Sequence, residues 1–150
     1  MRKLATTALM GLFILAAPVA QAADALQARF TDNELVQILK GEGYTTAAPL
    51  KAGAISLKIE GKSYVLFNGK DGDLQLYYGI GGAKVSADDM NTWNRTKRLS
   101  RAYLDGDRDP VLESDLMSDA GLSRKHVTEF LRVFVGSVEQ FRRFVADRSQ

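Results

Sequence analysis

From Ser123 onward, apolar residues recur at Val127, Phe130, Leu131, Phe134, Val138, Phe141 and Val145. That spacing places them on one side of a helix of roughly five turns. A helix with so long an apolar face needs an equally long apolar surface to lie on. The chain offers one between Tyr44 and Ile80, where the period changes to two. Ile55, Leu57 and Ile59 alternate with Ser56, Lys58 and Glu60, the pattern of a half-buried strand. Val65 and Phe67, then Leu74, Leu76 and Tyr78, continue the pattern. Turns are expected at Gly61-Lys62, Asn68-Gly69 and Asp71-Gly72.

Helix starts are marked by capping residues. Thr31 is followed three residues later by Glu34, with Phe30 and Leu35 placed to pack across the cap, and Leu35, Ile38 and Leu39 form a stripe that ends at Gly41 or Gly43. Ser86 caps a second helix, with Asp88 and Asp89 at its positive end and Val85 set against Met90. Arg95, Lys97 and Arg98 fall near its negative end. Residues 100–105 and 110–116 read as a hairpin around Gly106. Leu122 and Val127 bracket a third start at Ser123. The expectation is one α+β domain over residues 23–150, an antiparallel sheet with helices packed on it in the order α-β-β-β-β-α-β-β-α.

The first 22 residues are read separately. Arg2 and Lys3 precede an uncharged, mostly apolar run from Leu4 to Val19, and Ala20-Gln21-Ala22 supplies small residues. This is the order of a secretory signal peptide, with cleavage expected after Ala22. The run is shorter than the roughly 20 residues a spanning helix needs, so no stable membrane insertion is expected after cleavage. The expected location is the periplasm or the medium. The chain has 20 basic and 18 acidic residues; losing Arg2 and Lys3 leaves 18 of each. A neutral mature chain argues against a nucleic-acid partner. With no cysteine, stability rests on the core and not on disulfides.

No catalytic, cofactor-binding or metal-ligating set emerges. Gly61-Lys62-Ser63 lacks the earlier glycine of a phosphate loop and lies between strands. Gly79-Ile80-Gly81-Gly82 is read as a flexible strand exit. Asp105, Asp107 and Asp109 alternate as in a calcium loop, but Pro110 and Leu116 stand where glycine and glutamate are required. Glu113 and Asp115 share a strand face and are expected to be solvated or to pair with Arg95, Arg98 or Arg101. His126 is the single histidine and, beside Arg124 and Lys125, is expected at the surface. Asn94-Arg95-Thr96 has the form of a glycosylation acceptor but falls within a helix. Trp93, three residues after Met90, is read as core or interface, and Asn94 as a buried side chain that bonds a neighbouring strand's backbone to dock the helix.

One order of segments is more specific. Met90-Asn91-Thr92-Trp93-Asn94-Arg95-Thr96-Lys97-Arg98 leads into Ala102-Tyr103-Leu104-Asp105, then Val111-Leu112-Glu113-Ser114-Asp115-Leu116, and closes with Glu139-Gln140-Phe141-Arg142-Arg143-Phe144. It resembles the YbjN domain family over residues 27–147, most specifically after Met90. The resemblance implies a fold like that of type III secretion chaperones, often dimeric, and the label of a bacterial sensory transduction regulator. Those chaperones act in the cytoplasm, so their substrates do not transfer to a chain with an export signal.

The expected function is a non-enzymatic protein that binds a protein partner, or a second copy of itself, in a chaperone-like or regulatory role, without cofactor. The alternative is a small-ligand or ion-binding module using the 95–101 cations and the 105–115 acids; an unrecognised enzyme is third. The contact or structural residues expected are Trp93, Asn94, Arg95, Arg98, Arg101, Asp105, Glu113 and Asp115.

Overall fold

The computed structural model describes residues 24–149. The expected signal segment, residues 1–22, and its cleavage point lie outside the described residues. The elements are α1 (Asp32–Gly41), β1 (Ala48–Lys51), β2 (Ala54–Ile59), β3 (Lys62–Asn68), β4 (Leu74–Gly79), α2 (Ala87–Thr96), β5 (Arg101–Leu104), β6 (Pro110–Leu116) and α3 (Arg124–Ala146). The strands form one antiparallel sheet ordered β1-β2-β3-β4-β6-β5, so the β5–β6 hairpin adds its second strand to β4 and leaves β5 at the edge. Element order and class match the sequence expectation.

Each helix begins with a reciprocal capping box. In α1 the Thr31 backbone N–H donates to Glu34 Oε2 at 2.8 Å while the Glu34 N–H donates to Thr31 Oγ1 at 3.2 Å. Ser86 and Asp89 repeat the exchange for α2. In α3 the returning acceptor is an imidazole: the Ser123 N–H donates to His126 Nδ1 at 3.1 Å. These bonds satisfy backbone N–H groups that a helix start leaves without partners. Phe30 with Leu35, and Leu122 with Val127, are buried beside their caps as expected.

Packing follows from the two periods. Val127, Leu131, Phe134, Val138, Phe141 and Val145 of α3 are buried, together with Leu35 and Leu39 of α1 and Met90 and Trp93 of α2. They meet the inward residues of the sheet in a single cluster, so the three helices share one sheet face. One reading needs correction. Val65 and Phe67 are half-buried on the opposite face, where Phe67 stands edge-on to Tyr77 at 6.3 Å; Tyr64 and Leu66 point into the core instead. Tyr64-Val65-Leu66-Phe67 is apolar in both phases, so alternation alone cannot choose a face. Pairing does, through Ile55↔Leu66 and Leu57↔Tyr64. Phe130 is half-buried at the edge of the α3 stripe, and Lys97 and Arg98 lie beyond the end of α2.

The residues leading into α1 are stitched to the domain. Both carboxylate oxygens of Asp24 accept from the start of α3, from the Arg124 N–H at 3.2 Å and the Lys125 N–H at 2.6 Å. Gln27 and Leu122 exchange backbone hydrogen bonds. Gly72, at φ +100°, lets the β3–β4 turn approach so closely that a Cβ there would collide with the Ala28 carbonyl oxygen. Asn68 Nδ2 donates to the Phe30 carbonyl and to Asp32 Oδ1.

These caps make stability depend on acid. The Lys125 N–H holds the Asp24 carboxyl below its ordinary value of 3.8, and the Asn68 side chain does the same for Asp32. The Thr31 backbone N–H lowers Glu34 from 4.5, and the Ser86 hydroxyl lowers Asp89 from 3.8. A carboxyl whose folded pKa is depressed contributes stability above its unfolded value and loses it as pH falls through the folded one. The melting temperature is therefore expected to be steady at neutral pH and to fall between about pH 5 and about pH 2. Glu34→Gln with Asp89→Asn should shallow that decline. A melting temperature flat across the same range would refute the assignment.

Candidate functional site

The segment joining α2 to β5 is held rigidly at both ends. Asn94 Nδ2 donates to the Ala102 carbonyl at 2.9 Å, and the Ala102 N–H returns to Asn94 Oδ1 at 2.8 Å. This is the strand-docking contact expected of Asn94, made by a residue that is exposed and not buried. Trp93 is 1 % exposed, and its Nε1–H donates to Ser100 Oγ at 3.2 Å. Between these anchors Leu99 takes φ +65°, a left-handed conformation that a bulky L-residue adopts at a cost of about 1–2 kcal/mol. The Ser114 hydroxyl donates to the Leu99 carbonyl at 2.7 Å and fixes that turn. The side chain so placed is 67 % exposed. A strained, exposed leucine contributes nothing to the core.

Leu99 overhangs a groove between the first half of α3 and the end of β6. Its walls carry Leu116, Phe130 and Val133, with Arg101, Asp115, His126 and Glu129 on the rim, and it holds about 560 Å³. The groove exists because β5 is short. β5 pairs with β6 only as far as Arg101↔Glu113, so the last residues of β6 have no strand outside them and α3 passes over the gap. It is open and mostly apolar, with Leu99 and Val133 among the few large apolar side chains the surface exposes.

Glu113 sits at one end with both oxygens engaged. Arg101 Nη2 lies 2.5 Å from Oε2, and the Tyr103 hydroxyl donates to Oε1 at 2.6 Å. Glu113 is 7 % exposed, contrary to the solvated alternative, and pairs with Arg101 and not with Arg95 or Arg98. Burial first, then the Glu113 hydrogen bond, raises the Tyr103 pKa, which keeps its hydroxyl a donor; the same carboxylate raises that of Arg101. Asp115, exposed on the same strand face, accepts from Gln75 Nε2 at 2.9 Å. Glu113 is thus held by two donors and Asp115 is turned to Gln75, so the two acids are engaged separately.

The remaining sequence candidates disperse. Arg95 donates to Thr92 on its own helix. Asp105 closes the β5–β6 turn by accepting from the Asp107 and Asp109 N–H groups, and Asp109 Oδ1 accepts from the Gly82 N–H, so the Asp105 and Asp109 carboxylates are taken up by backbone. Among the described residues no three His, Asp or Glu side chains are grouped to hold a metal ion. Of the eight candidates, Arg101, Glu113 and Asp115 reach the groove, and Arg98 lines the surface beside it. Sequence reading missed Leu99, Leu116, Phe130 and Val133 as surface features. One signal was present for Leu99: a lone large apolar residue between Arg98 and Ser100, past the end of a helix.

The described residues form a two-layer α+β domain with an open apolar groove at one edge of the sheet. The comparisons supply the family and the fold. Residues 31–147 match the family described as "Putative bacterial sensory transduction regulator", and the chain belongs to this YbjN family. A crystal structure of YbjN from E. coli, described as a putative transcription regulator, shares the fold with a TM-score of 0.63 at 17% identity, over 82% of this chain and 93% of that one. No curated protein matches the sequence.

Proposed function

We propose that this protein is an exported, non-enzymatic binding protein of regulatory or chaperone-like type, and that it holds a segment of a partner protein in the groove between α3 and the β5–β6 edge. The observation that carries the reading is Leu99, strained, pinned by Ser114 and exposed over an apolar trough. Strain of this kind persists only where the surrounding structure enforces it, and such residues cluster at binding and catalytic sites. Export rests on the charged, apolar and small-residue order of the first 22 residues. Removal of those residues leaves Asp24 in place to cap α3.

Leu99 also supplies the test. Leu99→Gly removes the side chain and relieves the left-handed strain, so stability should stay level or rise by up to about 1 kcal/mol. The native protein, recovered from a periplasmic fraction with its bound partner, should have a mass beginning at Ala23. The Leu99→Gly and Val133→Asp variants should lose that partner without loss of fold, while Glu113→Gln with Asp115→Asn retains most of it. A cytoplasmic chain with residues 1–22 intact would refute export. Capture indifferent to Leu99 and Val133 would refute the groove.

A further inference from the structure

The groove does not end at Val133. Leu99 and Val133 also line a second depression with Lys97, Arg98 and Gln140, and Lys97 and Gln140 continue into a third with Arg143 and Phe144. The three form one trough along the outer flank of α3, apolar-walled at the Phe130 end, where Asp115 and Glu129 stand on the rim, and basic at the Arg143 end. Five cations line the basic portion, Lys97, Arg98, Arg132, Arg143 and Arg148, against one acid, Asp147. Arg132 is held by Glu129 at 2.6 Å and Arg148 by Asp89 at 3.4 Å. Among the described residues, Lys97, Arg98 and Arg143 have no carboxylate within salt-bridge distance. Lys97 is nevertheless kept in place, donating to Gln140 Oε1 at 3.0 Å and lying 5.7 Å from the centre of the Trp93 ring.

We infer that the segment held in this trough is an acidic peptide with large apolar anchors, its side chains seated between Leu99, Phe130 and Val133 and its carboxylates on Lys97, Arg98 and Arg143. The inference rests on the peptide-binding reading above and names the chemistry of the partner. The argument is complementarity. Apolar walls reward removal of aliphatic or aromatic surface from water, and adjoining cations without counter-charges favour and orient an anionic stretch. A nucleic acid would need cations along its whole track, and half of this track is apolar. A membrane surface would take apolar side chains that protrude, whereas these line a concavity. A second copy would have to bring its own acidic segment to the cations, and the oligomeric state in the test below separates that occupant from a peptide.

The test uses the purified protein and three dye-labelled synthetic peptides that share the same leucine and phenylalanine positions, filled between them with glutamate, lysine or serine. The glutamate peptide is expected to bind roughly tenfold more tightly than the serine one, and the lysine peptide more weakly still. Raising the salt should shrink that difference, because the cations are exposed. Arg98→Glu with Arg143→Glu should reverse the order of the charged peptides at unchanged melting temperature, and Leu99→Gly should weaken all three. Equal binding of the serine and glutamate peptides, still lost in Leu99→Gly, would overturn the acidic partner and leave the peptide groove standing. Absence of binding by every peptide would overturn both. Tighter binding of duplex DNA or phosphatidylglycerol vesicles, or a dimer dissolved by Leu99→Gly, would reassign the trough and overturn the inference.

Discussion

Phe134→Ala is expected to cost about 3–5 kcal/mol of stability, enough to unfold much of the protein at physiological temperature. Phe134 lies midway along the buried face of α3, is 1 % exposed, and meets Tyr64 edge-on at 6.3 Å. Truncation removes the ring's transfer from water and leaves a void beneath the helix, between α3 and the centre of the sheet. That void cannot close cheaply. Tyr64 is itself fully buried and packed against Tyr78 at 5.2 Å, whose hydroxyl accepts from Arg142 Nη1. His126→Ala on the same helix is the control. It removes an exposed ring and one arm of a capping box, a change of no more than about 1 kcal/mol. Urea denaturation followed by circular dichroism compares the two. Equal and small shifts in midpoint would refute the ranking.

Trp93→Ala should be of similar size, about 3–5 kcal/mol, and should in addition disturb the trough. Trp93 meets Phe141 at 5.1 Å and Phe144 at 5.4 Å, edge-on in both cases, and with Met90 it is one of two side chains that α2 buries. Losing the indole takes away most of what holds α2 to α3, together with the Ser100 hydrogen bond that helps present Leu99. Partner binding should therefore fall together with stability, whereas in Leu99→Gly it falls alone. Because Trp93 is the chain's one tryptophan, the measurement must use circular dichroism and not fluorescence. A loss below about 1 kcal/mol would remove Trp93 from the core and return it to the surface as a partner contact.

Local chemistry was legible wherever a few neighbouring residues decide the outcome. Thr31 with Glu34, Ser86 with Asp89, and Ser123 each start a helix through bonds that span three residues. The Asn94 contact with Ala102 crosses eight residues and was legible too, because a side-chain amide near the end of a helix has few backbone groups within reach. Legibility failed where two choices look alike along the chain. In Tyr64-Val65-Leu66-Phe67 both phases are apolar, and only pairing with β2 selects the inner face. Glu113 and Asp115 occupy equivalent places in an alternating strand. One is buried by Arg101 and Tyr103 across the hairpin, and the other opens toward Gln75 on β4.

The groove shows the same division. Phe130 and Val133 read as part of a helix, Leu116 as the end of a strand and Leu99 as a linker; none of them announces a surface site. Their meeting depends on β6 inserting between β4 and β5, on β5 stopping short, and on α3 crossing the gap that results. By itself the sequence determined the α+β class, the helix starts, the α3 stripe and the family, because periodicity, capping and segment order are properties of neighbouring residues. Tertiary structure alone decided which strand face meets the helices, which carboxylate is buried, and that an apolar trough runs into a cluster of cations, because each of these depends on residues brought together across the sheet by long-range pairing.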